Sequence, residues 1–403
     1  MKWKFRLGAV VGNALEYYDI AVFAAISVYL SAEIERQGYE QATQMVWGIF
    51  ALRFIVRPIG GYIIGRYADK VGRKSALILT SFVSGSATLC MALLPISFLG
   101  SYTPLVILVL QMALSFSYAG EWPTLTTYLF NDAKNKERAR ISALIVGSAI
   151  MGVIVSLLLV LVLEHSLDPI VMQTIGWRIP LLLGVVNIVV SFWFRARLPV
   201  QPTAFKRYKR LNWFKSFNLF LIAVPLSVAF YAQNMSSSLI KDKLQLGDFK
   251  SIYTILSSAL ILMLMLICGW LTDRYSSSAK VFNAGVIGLI LFSIPLFYIM
   301  RSNTVEWVVI AQLAITINTA MILSTGASVL ADIANGETTA LSMGYNMSST
   351  LAGGLTPLII SYLVSYDLTY AGAYIALSGF SLLLSQWLFK PTSSFKSKME
   401  GAD

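Results

Sequence analysis

Apolar residues along this chain gather into long runs, and short polar loops divide them. About 20 consecutive apolar residues cross the hydrocarbon core of a bilayer as a helix. On that ruler twelve segments stand out, at roughly 8–31, 45–66, 75–95, 104–130, 139–163, 176–195, 217–239, 250–271, 280–300, 306–331, 339–364 and 369–389. The runs lack the period-2 alternation of barrel strands. The expected fold class is therefore an all-α polytopic membrane protein. The first run begins with the basic MKWKFR, as a secretory leader does. It has no small-residue cleavage site and contains Glu16 and Asp19, so we read it as a retained first span.

Composition supports the same class. Of 403 residues, 57% are hydrophobic and 13% charged, against about 25% charged in soluble domains. Mean hydropathy is +0.70. Cys90 and Cys268 both fall in apolar runs and read as small core residues. The single histidine, His165, has no ligand cluster near it in sequence, so no metal is expected.

The loops predict orientation. Lys2, Lys4, Arg6, Arg66, Lys70, Arg73, Lys74, Lys134, Lys136, Arg138, Arg140, Arg195, Arg197, Lys206, Arg207, Lys209, Arg210, Lys215, Arg274, Lys280, Lys390, Lys396 and Lys398 sort to the side of the N-terminus. Only Arg36, Arg178, Lys241, Lys243, Lys250 and Arg301 sort to the other. The positive-inside rule then places both termini in the cytoplasm. This bias accounts for the net charge of +11. It calls for contact with anionic lipid rather than nucleic acid.

The stretch from Ala196 to Ser216 is the longest polar interval and holds Pro199 and Pro202. It divides residues 1–196 from 217–390 as two six-helix halves joined by a linker at 197–216, with a tail at 391–403. The halves repeat. GRYADK at 65–70 and GWLTDR at 269–274 share one pattern 204 positions apart, and Asp132 and Ser142 match Asp332 and Ser342 200 positions on. Repeats of six helices run parallel and place a substrate site near the membrane midplane between the halves.

GRYADKVGRKSA at 65–76, following a second span, resembles the loop signature of the major facilitator superfamily. GNALEYYD at 12–19, RPIGG at 57–61, GEW at 120–122 and GWRIPLLLG at 176–184 resemble the metabolite:H+ symporter family within it, whose members carry proline and betaine, shikimate or 2-oxoglutarate. The resemblance covers the first six segments well, and the second half mainly in layout. It implies a monomeric carrier in the cytoplasmic (inner) membrane, driven by a proton gradient without a cofactor. It further implies that Asp69 meets the start of helix 11 near Thr338–Thr339. Gly65, Asp69, Lys70, Gly72, Arg73 and Lys74 would then form a gating loop, with Asp273 as its counterpart against helix 5. The chain departs from the family in helix 4, where Leu108 replaces an arginine and Met112 a glycine, and at Arg53, usually small or apolar.

Charges inside the spans are the candidate coupling machinery, because ionisable groups at membrane depth are costly. Five stand out: Glu16, Asp19, Arg53, Arg57 and Glu121. At 1.5 Å per residue, Glu16, Arg57 and Glu121 lie ~13–15 Å from the basic side, and Asp19 and Arg53 ~18–20 Å. Spacings of i, i+3 and i, i+4 put each pair on one helix face. A ladder is expected in which Arg57 pairs with Glu16 or Glu121, and Arg53 replaces the charge missing at Leu108. Three acids against two arginines leave one carboxylate to carry a proton. Glu121 is the first candidate, because Pro123 deprives the Ala119 carbonyl of its helical donor and loosens that turn. Asp19 is the second.

Neutral residues complete the expected substrate site: Asn13, Tyr17, Tyr18, Gln111, Tyr118 and Trp122 in the first half, and Tyr231, Gln233, Asn234, Asn318, Tyr345 and Asn346 in the second. Aromatic faces suit an ammonium group and arginine suits a carboxylate. A zwitterion such as an amino acid or betaine fits best, and an organic acid next. The expected function is proton-coupled import. The alternatives are export by antiport or uniport, of a small metabolite or siderophore-like compound, and a transporter-derived sensor that binds without carrying. No nucleophile–base pair suggests an enzyme.

Overall fold

The computed structural model describes residues 2–36, 38–201, 211–243, 250–302 and 304–389, with backbone only at 47, 50, 234–243, 250 and 251. The proposed tail at 391–403 lies outside the described residues, as does most of the linker, 202–210. The principal helices are α1 (Trp3–Ala25), α2 (Arg57–Lys70), α3 (Arg73–Ala92), α4 (Thr103–Phe130), α5 (Arg138–Ser166) and α6 (Arg178–Ala196). They continue as α7 (Trp213–Lys243), α8 (Lys250–Tyr275), α9 (Ser278–Ile299), α10 (Val305–Ala334), α11 (Thr338–Ser348) and α12 (Leu368–Leu388).

Ten helices among the described residues are long and apolar enough to cross a membrane. The pair Trp3–Ala25 and Ser27–Arg36, bent by 49°, makes an eleventh. The remaining segment, second in the chain, is less regular. A helix at Ala42–Leu52 tightens into a 3₁₀ turn at Arg53–Val56 before α2 begins. Pro58 lies in the first turn of α2, where its missing N–H costs least. Apolar side chains such as Phe82, Val189, Leu291 and Leu377 point outward and are exposed. A surface so apolar belongs against lipid tails rather than water.

Within the first half, α1 packs on α5 and α6, and α3 on α4 and α6. In the second, α7 packs on α10, α11 and α12, and α9 on α10 and α12. The halves meet where α2 lies on α11 and where α8, six helices after α2, lies on α5. Glycine makes both seams close. A Cβ at Gly61 would fall 2.6 Å from Asn346 Nδ2, one at Gly65 3.0 Å from Thr339 Cα, and one at Gly269 2.8 Å from Ala143 Cβ. Gly61 and Gly65 are four apart, so they present one bare face to α11.

Candidate functional site

The face that carries the N-terminus and the loop after α2 is called the basic face below. Across it the halves are tied. Asp69 accepts from Thr338 N at 2.9 Å, Thr339 N at 2.8 Å and Thr339 Oγ1 at 2.6 Å, so it caps α11. A carboxylate satisfies the orphan amides at a helix start and opposes their partial positive charge. Arg73 donates to the Gly336 carbonyl at 2.9 Å, in the left-handed turn Asn335–Gly336 that ends α10. Gly72, at φ 129°, supplies a conformation that side chains resist between α2 and α3. Lys70 is exposed and Lys74 half-buried at this corner. On the second seam Asp273 accepts from Ala139 N at 2.9 Å, Arg140 N at 3.0 Å and Arg140 Nε at 3.0 Å, which caps α5. Arg138 pairs with Asp332, and Thr127 Oγ1 meets Thr338 Oγ1 at 3.0 Å.

Deeper in, the arrangement of charges differs from the expected ladder. Arg195, sorted above among the loop cations, is buried at the inner end of α6. Its guanidinium pairs with both Glu16 of α1 and Glu121 of α4. It also donates to the Leu77 carbonyl at 2.7 Å, Ser81 Oγ at 2.5 Å and Thr80 Oγ1 at 3.2 Å, and Ser81 Oγ donates to Glu16 at 2.8 Å. Two carboxylates therefore share one guanidinium among three helices, and neither is paired with Arg57. The outer oxygens, Glu16 Oε2 and Glu121 Oε2, are buried without a hydrogen-bond partner.

The cause is rotation about a helix axis. In α6, Gly184, Ile188, Ser191 and Arg195 form one buried stripe at i, i+4, i+7 and i+11. Arg197, two residues on, lies off that stripe and rests on the Trp193 ring, 3.5 Å from its centroid. The stripe was the available signal, because loop cations have no reason to continue a buried helical face.

Asp19 also departs from the ladder. It is 2% exposed, and neither carboxylate oxygen has a hydrogen-bond partner. No salt bridge reaches it among the described residues. Its carboxylate lies against Gly184 of α6, with the Thr88 side chain of α3 beside the same glycine. Thr88 Oγ1 is itself buried and unpartnered.

The two arginines of the second segment face α4 rather than the acids of α1. Arg53 donates to Gln111 Oε1 at 2.8 Å, with its guanidinium 5.9 Å from the Phe23 ring and 5.6 Å from the Phe54 ring. Arg57 donates to Ser115 Oγ at 3.4 Å and to Ser349 Oγ at 2.9 Å, and lies 4.2 Å from the Phe54 ring. Gln111 and Ser115 are one turn apart, so a polar stripe of α4 receives both. Arg53 does reach the glutamine one turn from Leu108.

The neutral candidates divide in two. Several bond within or between helices and are closed off. Asn13 donates to the Ile145 carbonyl at 3.2 Å and Ser148 Oγ at 2.7 Å, and Tyr18 donates to the Pro180 carbonyl at 2.8 Å. Gln233 binds Thr316 of α10 at 3.0 Å. Asn318 faces α9, bridging the Gly285 carbonyl at 3.1 Å and the Leu289 amide at 2.8 Å. Tyr118 donates to the Glu16 carbonyl at 2.9 Å. The Asn234 side chain lies outside the described residues.

Asn346 closes the seam instead of lining a site. Its Nδ2 donates to the Ala119 carbonyl at 2.6 Å, joined by Ser342 Oγ at 3.1 Å. Pro123 leaves that carbonyl without its i+4 donor, as expected. The turn is not left loose, however, because the opposite half supplies the donors. Thr350 Oγ1 reaches the Phe54 carbonyl at 3.2 Å, which also accepts from Arg57 N in the 3₁₀ turn.

The second group is half-buried and meets in the space between the halves. Tyr17 of α1, Arg57, Tyr231 of α7 and Tyr345 of α11 lie within electrostatic reach of one another. Tyr345 stacks on Trp122 at 4.0 Å and 13°, and the Tyr17 and Tyr118 rings lie 6.5 Å apart. After Ser348 the backbone widens into a π-turn, Ser349–Gly353. Such bulges often mark functional sites in helices, and this one places Ser349 on Arg57.

A sequence model described as the Major Facilitator Superfamily matches residues 9–284 and 212–401. The ectoine/proline transporter ProP of Corynebacterium glutamicum is 27% identical over 393 residues, which cover 89% of this chain and 77% of the relative. The alpha-ketoglutarate permease of Escherichia coli (strain K12) is 34% identical over 195 residues, 48% of this chain and 45% of the relative. Among solved structures, the proton:xylose symporter XylE bound to 6-bromo-6-deoxy-D-glucose superposes with a TM-score of 0.77 at 15% identity, covering 96% of each chain. That likeness concerns the fold.

Proposed function

The chain belongs to the Major Facilitator Superfamily, and from that premise we propose that it imports a small zwitterion, an amino acid or a betaine, together with protons. The site between the halves is exposed to each side of the membrane in turn. In this reading the protein works as a monomer in the cytoplasmic membrane, with the basic face inside. In the same reading the ties of Asp69 and Asp273 hold the cytoplasmic side shut, and the substrate site is approached from outside.

One observation carries the coupling. Three carboxylates lie deep in the first half, Glu16 and Glu121 share Arg195, and Asp19 has no counterion among the described residues. A buried ion pair holds together only while its charges match, and an unmatched buried charge is costly. One proton on Asp19 removes a charge that nothing nearby neutralises. A second, on Glu16 or Glu121, would leave a matched pair with Arg195. Protonation can therefore change which helices of the first half are held together. That Glu121 is ion-paired moves Asp19 ahead of it as the carrier. The aromatic group of Tyr17, Trp122, Tyr231 and Tyr345 supports a cationic substrate group by cation–π attraction. The ectoine/proline transporter among the relatives supports a zwitterion.

Proteoliposomes test the reading. An inside-alkaline pH gradient should drive accumulation of labelled proline, ectoine or glycine betaine, and a protonophore should abolish it. Uptake indifferent to the gradient rejects coupling. Binding without flux would identify a sensor, and efflux driven by the gradient an exporter.

A further inference from the structure

We propose that Arg57 is the anchor for a substrate carboxylate at mid-depth between the two halves. This rests on the reading of the chain as a transporter of a small zwitterion and names the group that the site recognises.

Arginine keeps its charge in proteins, so each one inside the membrane needs a partner. Deep in the first half Arg195 pairs with two glutamates, and at the basic face Arg6 pairs with Glu137 at 2.7 Å, Arg140 with Asp273 and Arg138 with Asp332. Arg57 is different. Its hydrogen-bond partners are two serine hydroxyls, and no carboxylate forms a salt bridge with it among the described residues. A guanidinium left with uncharged partners in a span keeps an attraction for an anion that the fold does not satisfy.

Its position suits a ligand. Ser115 belongs to the first half and Ser349 to the second, so Arg57 lies on the seam that alternating access must open. It is half-buried, whereas Arg53, 2% exposed behind Phe54 and Phe23, is shut in. The Phe54 ring, 4.2 Å from the guanidinium carbon, supports it from one side. The planar edge can then take a carboxylate through two parallel N–H bonds, the geometry arginine provides and lysine does not. Ser349 Oγ, bonded at 2.9 Å, is the neutral group a carboxylate would displace. Tyr17, Tyr231 and Tyr345 border the same space. An ammonium attached close to the carboxylate would meet their rings.

The shared chemistry is a carboxylate, and its source can be a zwitterion or an organic acid. The test is ligand-induced thermal stabilisation of the purified full-length protein with matched probes: glycine betaine against choline, proline against pyrrolidine, and 2-oxoglutarate. The wild type should respond to a carboxylate probe and not to its carboxylate-free counterpart. Arg57→Gln should lose the response, Arg57→Lys should weaken binding tenfold or more, and Ser349→Ala should keep the preference. If Arg57→Gln does not fold, the wild-type probe pairs and Arg57→Lys decide. Carboxylate binding within twofold of wild type in either arginine variant overturns the anchor, as does equal stabilisation by choline and betaine, or no response to any carboxylate. Arg57-dependent binding of 2-oxoglutarate alone would keep the anchor and reject the zwitterion. Betaine accumulation by the wild type with unchanged binding in Arg57→Gln would do the reverse.

Discussion

Asn346 of α11 and Ala119 of α4 are joined across the seam by a 2.6 Å hydrogen bond, made to the carbonyl that Pro123 deprives of its helical donor. With Thr350 of the following π-turn on the Phe54 carbonyl, which also accepts from Arg57 N, the α11 segment docks on the first half at two carbonyls, and Pro123 frees the first of them. These bonds exist only while α11 lies against α2 and α4. Pro123 therefore turns ordinary helix backbone into a docking surface for one conformation.

Asn346→Ala should destabilise the protein by about 0.5–1.5 kcal/mol, the net worth of one hydrogen bond, because Ser342 Oγ still donates to that carbonyl. Pro123→Ala restores an N–H to that acceptor, so the double variant should be more stable than the sum of the singles, with a coupling of about 0.5–3 kcal/mol. Thermal unfolding of the four proteins measures this. Additivity would show that the carbonyl is not shared.

Arg195→Leu strands two buried carboxylates. It should lower stability by about 3–5 kcal/mol, as for other broken buried pairs, and abolish transport. Adding Glu16→Gln and Glu121→Gln should recover most of the stability without restoring proton-driven uptake. A stable, active Arg195→Leu protein would remove the triad from the mechanism.

Asp19→Asn preserves the volume packed against Gly184. Exchange of labelled for unlabelled substrate should persist near the wild-type rate, while accumulation driven by a pH gradient falls to background. Gradient-driven accumulation in this variant would take Asp19 out of the proton path.

Asp69→Asn removes the charge that caps α11, an interaction worth about 0.3–1 kcal/mol and up to about 2 when partly buried. The closed state should lose population. With Cys90 and Cys268 replaced by serine, a cysteine at Thr127, which meets Thr338 at the seam, should label several-fold faster with a maleimide in the Asp69→Asn background. An unchanged rate would show that Asp69 does not hold the basic face shut.

The spans were legible because a bilayer reads length and apolarity, and an unbroken run reports both. Only the second segment strains the ruler, where the 3₁₀ turn and Arg53, Arg57 and Arg66 interrupt it. The partners of the buried charges were not legible from depth alone. Depth follows from position in the run, but pairing depends on rotation about each helix axis. Arg57 and Glu121 are expected at similar depth, yet Gly60 packs on Phe116 and Ile64 on Gly120, and this register sets Arg57 beside Ser115, six residues before Glu121. Arg195 looked like a loop residue because it ends an apolar run beside Arg197, and only the Gly184–Ile188–Ser191 stripe separates the two. For the neutral residues, Tyr17 and Tyr18 show the same limit: one step along α1 separates a ring in the central space from one bonded to Pro180.

The order of the helices along the chain gives the triad a consequence for biogenesis. Chains are made from the N-terminus, so Glu16 and Glu121 reach the membrane before α6 has been synthesised. Their guanidinium partner arrives last of the six. A nascent chain stopped after α4 holds both acids without Arg195, and the first half can close its interior only when α6 docks. The sixth helix thus acts as the keystone of co-translational assembly as well as the counterion of the finished carrier.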